Sequence, residues 1–200
     1  NAQKGTIKLN RFLIGALLML LAILVLLVAF FGNYGVSVSR RREQESMDYI
    51  LNMYNRNLSG ALEEIEGDLQ DILASQSTLQ LLLDRSSLRR WQGSYSLSSL
   101  LTEKRTSTED VDGYAVMDSV YEGFILARST NIAYGELDEI KKCLSGMAKQ
   151  GIRSSGWIST QIGKRGCLLK YYNYGGVIIA AFLTEPKIQE ILSHGQSEDN

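Results

Sequence analysis

Five side chains carry most of the binding chemistry in this sequence: Trp91, Tyr114, Asp118, Arg128 and Trp157. Trp and Tyr each supply an apolar wall with one polar tip. Asp118 and Arg128 supply one charge of each sign, which suits them to orienting a small polar or zwitterionic metabolite. Alternation along a strand starting at Trp157 sends Trp157, Ser159 and Gln161 to one face and Ile158, Thr160 and Ile162 to the other. Neighbouring strands supply Tyr114 and Asp118, then Phe124 and Arg128, at alternate positions. The expectation is a ligand pocket on one sheet face, with Trp91 near its rim. A solvated sheet face with snorkelling side chains is the other reading that the spacing allows.

Catalytic chemistry finds little support. His194 is the single histidine and lies beside a polar tail, so neither a Ser/His/Asp or Cys/His device nor a histidine-built zinc site is expected. Gly163-Lys164-Arg165-Gly166 lacks the spacing of a phosphate loop and reads as a hairpin turn. No Ser-x-x-Lys occurs, and Cys143 and Cys167 are too far apart for a Cys-x-x-Cys site. The two cysteines fit either a disulfide or two buried free thiols, the second being the preferred reading. No catalytic residue, metal or cofactor is expected.

These side chains must be held by the elements around them, and the first element is not part of a globular core. Residues 12–31 form twenty positions without a charge, fifteen of them Leu, Ile, Val or Phe. A helix of that length spans ~30 Å, the hydrocarbon thickness of a bilayer. Its insertion is favoured by roughly 5–9 kcal/mol from those fifteen side chains. A cleaved signal peptide would have a shorter apolar region and a small-x-small site after it. Phe30-Phe31-Gly32-Asn33-Tyr34 offers none, so the run reads as an uncleaved anchor.

Charge follows the same division. Residues 1–42 hold Lys4, Lys8, Arg11, Arg40, Arg41 and Arg42 and no acid, which leaves fifteen basic against twenty-two acidic side chains in 43–200, a formal −7. Such a domain is a poor partner for nucleic acid. The flanks tie at three basic residues each. Lys8 and Arg11 lie nearest the apolar run, so an inside N-terminus over 1–11 and an extracytoplasmic domain are expected.

Helical spacing governs residues 43–86. Leu58, Ile65, Ile72 and Leu79 form one heptad series, and Leu62, Leu69, Gln76 and Leu83 form a second. This stripe is expected to pack on its own domain or on a second copy. Residues 102–112 read as a polar stretch. Strands are then predicted at 113–117 and 124–127, a helix at 136–149 ending at Gly151 and Ser154-Ser155, and strands at 157–162, 167–172 and 177–183. The last strand does not alternate, so it should be central and covered on both faces. A short helix near Pro186 and a polar tail at 193–200 close the chain. The pattern is α+β.

With this order of elements the chain resembles the extracytoplasmic Cache (PAS-like) sensor region of bacterial membrane receptors, most nearly that of Gram-positive sensor histidine kinases. The resemblance rests on the anchor and the long helix after it. It rests also on Asp112-Gly113-Tyr114-Ala115-Val116-Met117, Ala127-Arg128-Ser129-Thr130-Asn131-Ile132 and Tyr172-Asn173-Tyr174-Gly175-Gly176-Val177-Ile178-Ile179-Ala180. It implies a five-stranded antiparallel sheet within 87–192, a small-molecule ligand on one sheet face, and a homodimer. It also implies a second membrane span and a cytoplasmic two-component kinase module that this sequence does not contain, as in an N-terminal fragment of a longer receptor. The amino-acid-binding subgroup carries Tyr-x-Arg-x-Trp-Tyr before its first strand. Arg89-Arg90-Trp91-Gln92-Gly93-Ser94-Tyr95 does not match it, so an amino-acid ligand is not implied.

Two other classes share features with the chain. A type IV pilin or pseudopilin also joins an apolar N-terminal helix to an antiparallel sheet. Gly5-Thr6-Ile7-Lys8-Leu9-Asn10 lacks the glutamate those filaments need, and Lys8 and Arg11 would enter their packed core. A membrane-tethered hydrolase would need the nucleophile and base that are missing here.

Overall fold

Side-chain alternation along the strands sorts the molecule into layers. The computed structural model describes the backbone of residues 2–150 and 156–194. Side chains are described at 39–149, at 156–193 and at six positions nearer the N-terminus. The chain divides into two units, residues 1–52 and 53–200.

The first unit belongs to α1 (Ala2–Ala74), helical through all its described residues. Within the apolar run, Met19, Leu21, Leu24, Leu26, Leu27 and Phe30 are described, and all six are exposed. Among the described residues no helix is long and apolar enough to cross a membrane. The other side chains of the anchor expected at 12–31 lie outside the described residues.

The second unit holds the remainder of α1, then α2 (Gln76–Leu82), α3 (Ser87–Ser107), β1 (Gly113–Asp118), β2 (Phe124–Arg128) and α4 (Tyr134–Gln150). It ends with β3 (Ile158–Ile162), β4 (Arg165–Tyr174), β5 (Val177–Thr184) and α5 (Glu185–His194). The strands form one antiparallel sheet in the order β2-β1-β5-β4-β3. The class is therefore α+β with a five-stranded antiparallel sheet and a long helix, as the strand pattern and the resemblance lead one to expect. β5 lies at the centre and is buried at every position, which explains its unalternating run Val-Ile-Ile-Ala-Ala-Phe.

Each sheet face has its own core. Tyr114, Val116, Ile179, Ala181 and Leu183 pack with Ile65, Leu69 and Ile72 of α1, Leu79 and Leu82 of α2, Leu97 and Leu101 of α3, and Ile191 of α5. Ala115, Met117, Ile178, Ala180, Phe182, Leu169 and Tyr171 pack on the opposite face with Ile140 and Leu144 of α4. The heptad stripe thus buries Ile65, Leu69 and Ile72 inside this unit.

The helix expected over 43–86 departs from the prediction at both ends. It starts far earlier, and it stops at Ala74. Ser75 turns back on the last turn, its Oγ donating to the Ile72 carbonyl at 2.6 Å. Leu79 and Leu83 therefore fall outside α1. The larger departure is α3, a helix of 21 residues where no helix is predicted. Its buried positions are only Gly93, Leu97 and Leu101, too few to give a clear helical period. Gly93 is the contact with α2: a Cβ there would stand 2.7 Å from Leu81 Cβ.

The hairpins are as predicted. Tyr174 pairs with Val177 across Gly175-Gly176, both at positive φ, the requirement of a two-residue type I′ turn. Cys143 and Cys167 are free thiols. The predicted helix end at Gly151 and Ser154-Ser155, the His194 side chain and the tail 195–200 lie outside the described residues.

Candidate functional site: a cleft between the β1–β2 turn and α4

The β1–β2 turn is built on Asp118. Its Oδ1 accepts from the Tyr121 N–H and its Oδ2 from the Gly123 N–H, the latter at 2.8 Å. A Cβ at residue 123 would meet Oδ2 at 2.3 Å, so a larger residue there would displace the carboxylate. Glu122 adopts φ 57, a conformation that costs a non-glycine residue roughly 1–2 kcal/mol. Ser119 ties this turn to the β4–β5 turn, its N–H and Oγ both donating to the Gly176 carbonyl at 2.9 and 2.7 Å. The strained turn is thus held from two sides.

Between this turn and α4 lies a cleft of about 390 Å³. The strand side contributes Met117, Asp118, Ser119 and Glu122. The helix side contributes Asp138, Lys141, Lys142, Ser145, Ala148 and Lys149. Spacings of three, four and seven residues put the helix side chains on one stripe beside the buried face of Ile140 and Leu144. The lining combines the carboxylates of Asp118, Glu122 and Asp138 with the ammonium groups of Lys141, Lys142 and Lys149, beside the apolar Met117 and Ala148. Such a lining can hold a small molecule bearing both signs of charge. The sequence reading missed the α4 residues. Their spacing was visible, but a charged helix stripe is also what solvent exposure produces.

The five residues singled out from sequence do not form one site. Asp118 lines the cleft. Arg128 is on the same sheet face as Ala115, because Gly113 pairs with Arg128 and Tyr114 with Ala127. Its guanidinium donates to the Ile132 carbonyl and lies 4.6 Å from the Tyr134 ring centroid. Tyr114 is fully buried on the opposite face, against α1. Trp157 precedes β3 rather than belonging to it and packs on the Tyr114 side; its Nε1 is buried without a hydrogen-bond partner among the described residues. Trp91 is 64% exposed on α3 and stacks on Tyr95 at 5.9 Å. The expectation of a shared face for Tyr114, Arg128 and Trp157 is therefore corrected. Residue alternation fixes faces within a strand, but only register relates one strand to another.

A second polar cluster joins the sheet to α1. Asp68 accepts from Tyr114 Oη at 2.6 Å and Thr108 Oγ1 at 2.7 Å, and Lys104 Nζ lies 2.9 Å from its other oxygen. Burial works to raise the Asp68 carboxyl, but these three donors outweigh it and hold it below the ordinary value. Burial, reinforced by Asp68, pushes the Tyr114 phenol far up. Two strands away, Glu66 of α1 meets Lys170 at 2.6 Å and Tyr172 Oη at 3.1 Å. The Lys170 hydrogen bond lowers the Glu66 carboxyl. Burial raises the Cys167 thiol to about 12, so it is inert at neutral pH.

No described protein family and no curated protein matches the sequence. Among solved structures, the chain is similar to the sensory domain of the Campylobacter jejuni chemoreceptor Tlp3 (CcmL), crystallised with isoleucine bound. The identity is 11%, the TM-score 0.34, and the match covers 72% of this chain and 66% of that one. The chain thus spans just under two thirds of the length of that domain. A likeness of this size carries no argument about ligand or activity.

Proposed function

We propose that this chain is the extracytoplasmic sensor region of a bacterial membrane receptor. In this reading residues 12–31 anchor it in the cell membrane. A small zwitterionic metabolite binds between the β1–β2 turn and α4, and α1 carries the response to a cytoplasmic output module. That module is a two-component histidine kinase of the Gram-positive type, and the receptor works as a homodimer.

The cleft is the observation that carries the proposal. It is bounded by a strained turn on one side and a charged helix stripe on the other, so its walls belong to two different elements. β1 supplies Met117 and Asp118 to the cleft and Tyr114, three residues earlier, to α1. A ligand that draws α4 toward the turn would act on the strand that holds α1. Signalling then requires only that the ligand bind two arrangements of the unit unequally.

The test has two parts. A cysteine at Ser86, in a protein lacking Cys143 and Cys167, should react with an impermeant maleimide on intact cells. Labelling only after lysis would refute the topology. A screen of zwitterionic metabolites by thermal shift should find a stabilising compound, adding ~2.7 kcal/mol at 100 times its dissociation constant. Lys141→Ala and Asp138→Asn should abolish that shift; a hit that survives both lies elsewhere.

A further inference from the structure

A second cleft, of about 720 Å³, opens between the C-terminal half of α3, the edge strand β2 and the start of α5. Its lining is the opposite of the domain's overall charge. Residues 43–200 carry a formal −7, yet three cations from three elements, Arg105, Arg128 and Lys187, line this cleft, with Glu109 the acid on its wall. Lys187 is largely withdrawn from water, and Arg105 is half-buried. Lys187 is only 7% exposed, and the Arg105 Nε is buried without a hydrogen-bond partner among the described residues. Burying an ammonium or a guanidinium donor is costly unless something compensates it.

The compensation in place is complete for Lys187 but not for the Arg105 Nε. Lys187 has Glu190 at 2.8 Å, a carboxylate on the exposed side of α5. Arg128 gives one donor to the Ile132 carbonyl and stacks on Tyr134, which fixes its plane and leaves the rest of its fork unassigned. The hydroxyls nearby already donate within the protein. Ser129 donates to the buried Asp112, while Thr102 and Thr106 donate to helix carbonyls one turn back. Against Arg105, Arg128 and Lys187 the lining sets one carboxylate, Glu109, so the cleft can take up a further negative charge carried on two or more oxygens.

We propose that this cleft binds a multivalent oxyanion of phosphate chemistry, held by Arg105, Arg128 and Lys187. The group could be carried by a free phosphate compound or by a phospholipid headgroup, and the chemistry is the same in both. The site is separate from the cleft at the β1–β2 turn and does not depend on the reading given to that cleft.

The full chain in neutral detergent is titrated with inorganic phosphate and, separately, with dihexanoyl phosphatidic acid, at ionic strength held constant with chloride. Near 100 times the dissociation constant either probe should raise the melting temperature by roughly 5–10 °C. Broadening of the phosphorus NMR line reports binding independently of stability. A response to phosphate alone identifies the free anion, and a response to the lipid alone identifies the headgroup. Arg105→Gln and Lys187→Met should each remove the response, and Lys164→Gln, on the β3–β4 turn, should retain it. No shift and no broadening with either probe overturns the proposal. So does a full response in Arg105→Gln, or, if that variant does not fold, in Lys187→Met.

Discussion

Tyr114 Oη donates to Asp68 Oδ2 across 2.6 Å, and this buried bond joins strand β1 to helix α1. Lys104 of α3 and Thr108, just past its end, complete the acceptor's shell. Three elements thus meet at one carboxylate. Asp68→Ala should destabilise the protein by roughly 2–3 kcal/mol, because it leaves a buried phenol and a buried hydroxyl without acceptors. Tyr114→Phe removes one bond and leaves Asp68 two donors, so it should cost less, about 1 kcal/mol. Denaturant midpoints of the two variants check the order.

The same carboxylate sets a pH dependence. Its folded value lies below its ordinary 3.8, so its contribution is fully present above that pH and is lost as pH falls through the lowered value. Asp68→Asn should therefore flatten the acid limb of the stability curve while leaving the neutral region parallel to that of the unaltered protein.

The alkaline limb has a different origin. Burial raises Cys167 from 9.0 to about 12 in the folded protein. A raised value contributes stability that is full below pH 9 and lost as pH rises through about 12. Cys167→Ala should move alkaline unfolding to higher pH. In the native protein an alkylating reagent should modify Cys143, which is half-buried, well before Cys167.

Glu122 sits at φ 57. Glu122→Gly should stabilise the protein by about 0.5–1 kcal/mol, since relief of the left-handed strain exceeds the entropy glycine loses. Glu122→Ala keeps the strain and should show no such gain. Midpoints in urea, at unchanged slope, distinguish the two.

Ile65 is fully buried between α1 and the sheet. Ile65→Asp places an unpaired charge there and should destabilise the second unit by several kcal/mol. An unchanged melting temperature would mean that the stripe faces water.

Much of this architecture was legible because local physics dictates it. Short apolar segments set between glycines and turn residues located all five strands to within two residues at each end. The unbroken apolar run of β5 marked it as central. The pair Gly175-Gly176 placed the β4–β5 hairpin, since only glycine adopts two successive positive φ values without strain. The α1 stripe announced its buried face through Ile65, Leu69 and Ile72. α3 was hidden because its packing rests on two leucines and on Gly93, a residue that favours a helix only once α2 is beside it.

The site divides along the same line. The sequence by itself placed Tyr114 and Asp118 at alternate positions and gave the 136–149 helix an apolar face, because those facts need only the chain's own periodicity. Only the tertiary structure decided which side chains meet. Register between β1 and β2 put Tyr114 and Arg128 on opposite faces, although each alternates correctly within its strand. Packing of α1 drew Tyr114 into a hydrogen bond with a residue 46 positions away. The physical reason is that a strand's own pattern fixes which neighbours it hides from water, whereas the partner across a cleft depends on how two elements dock. No local period encodes that docking.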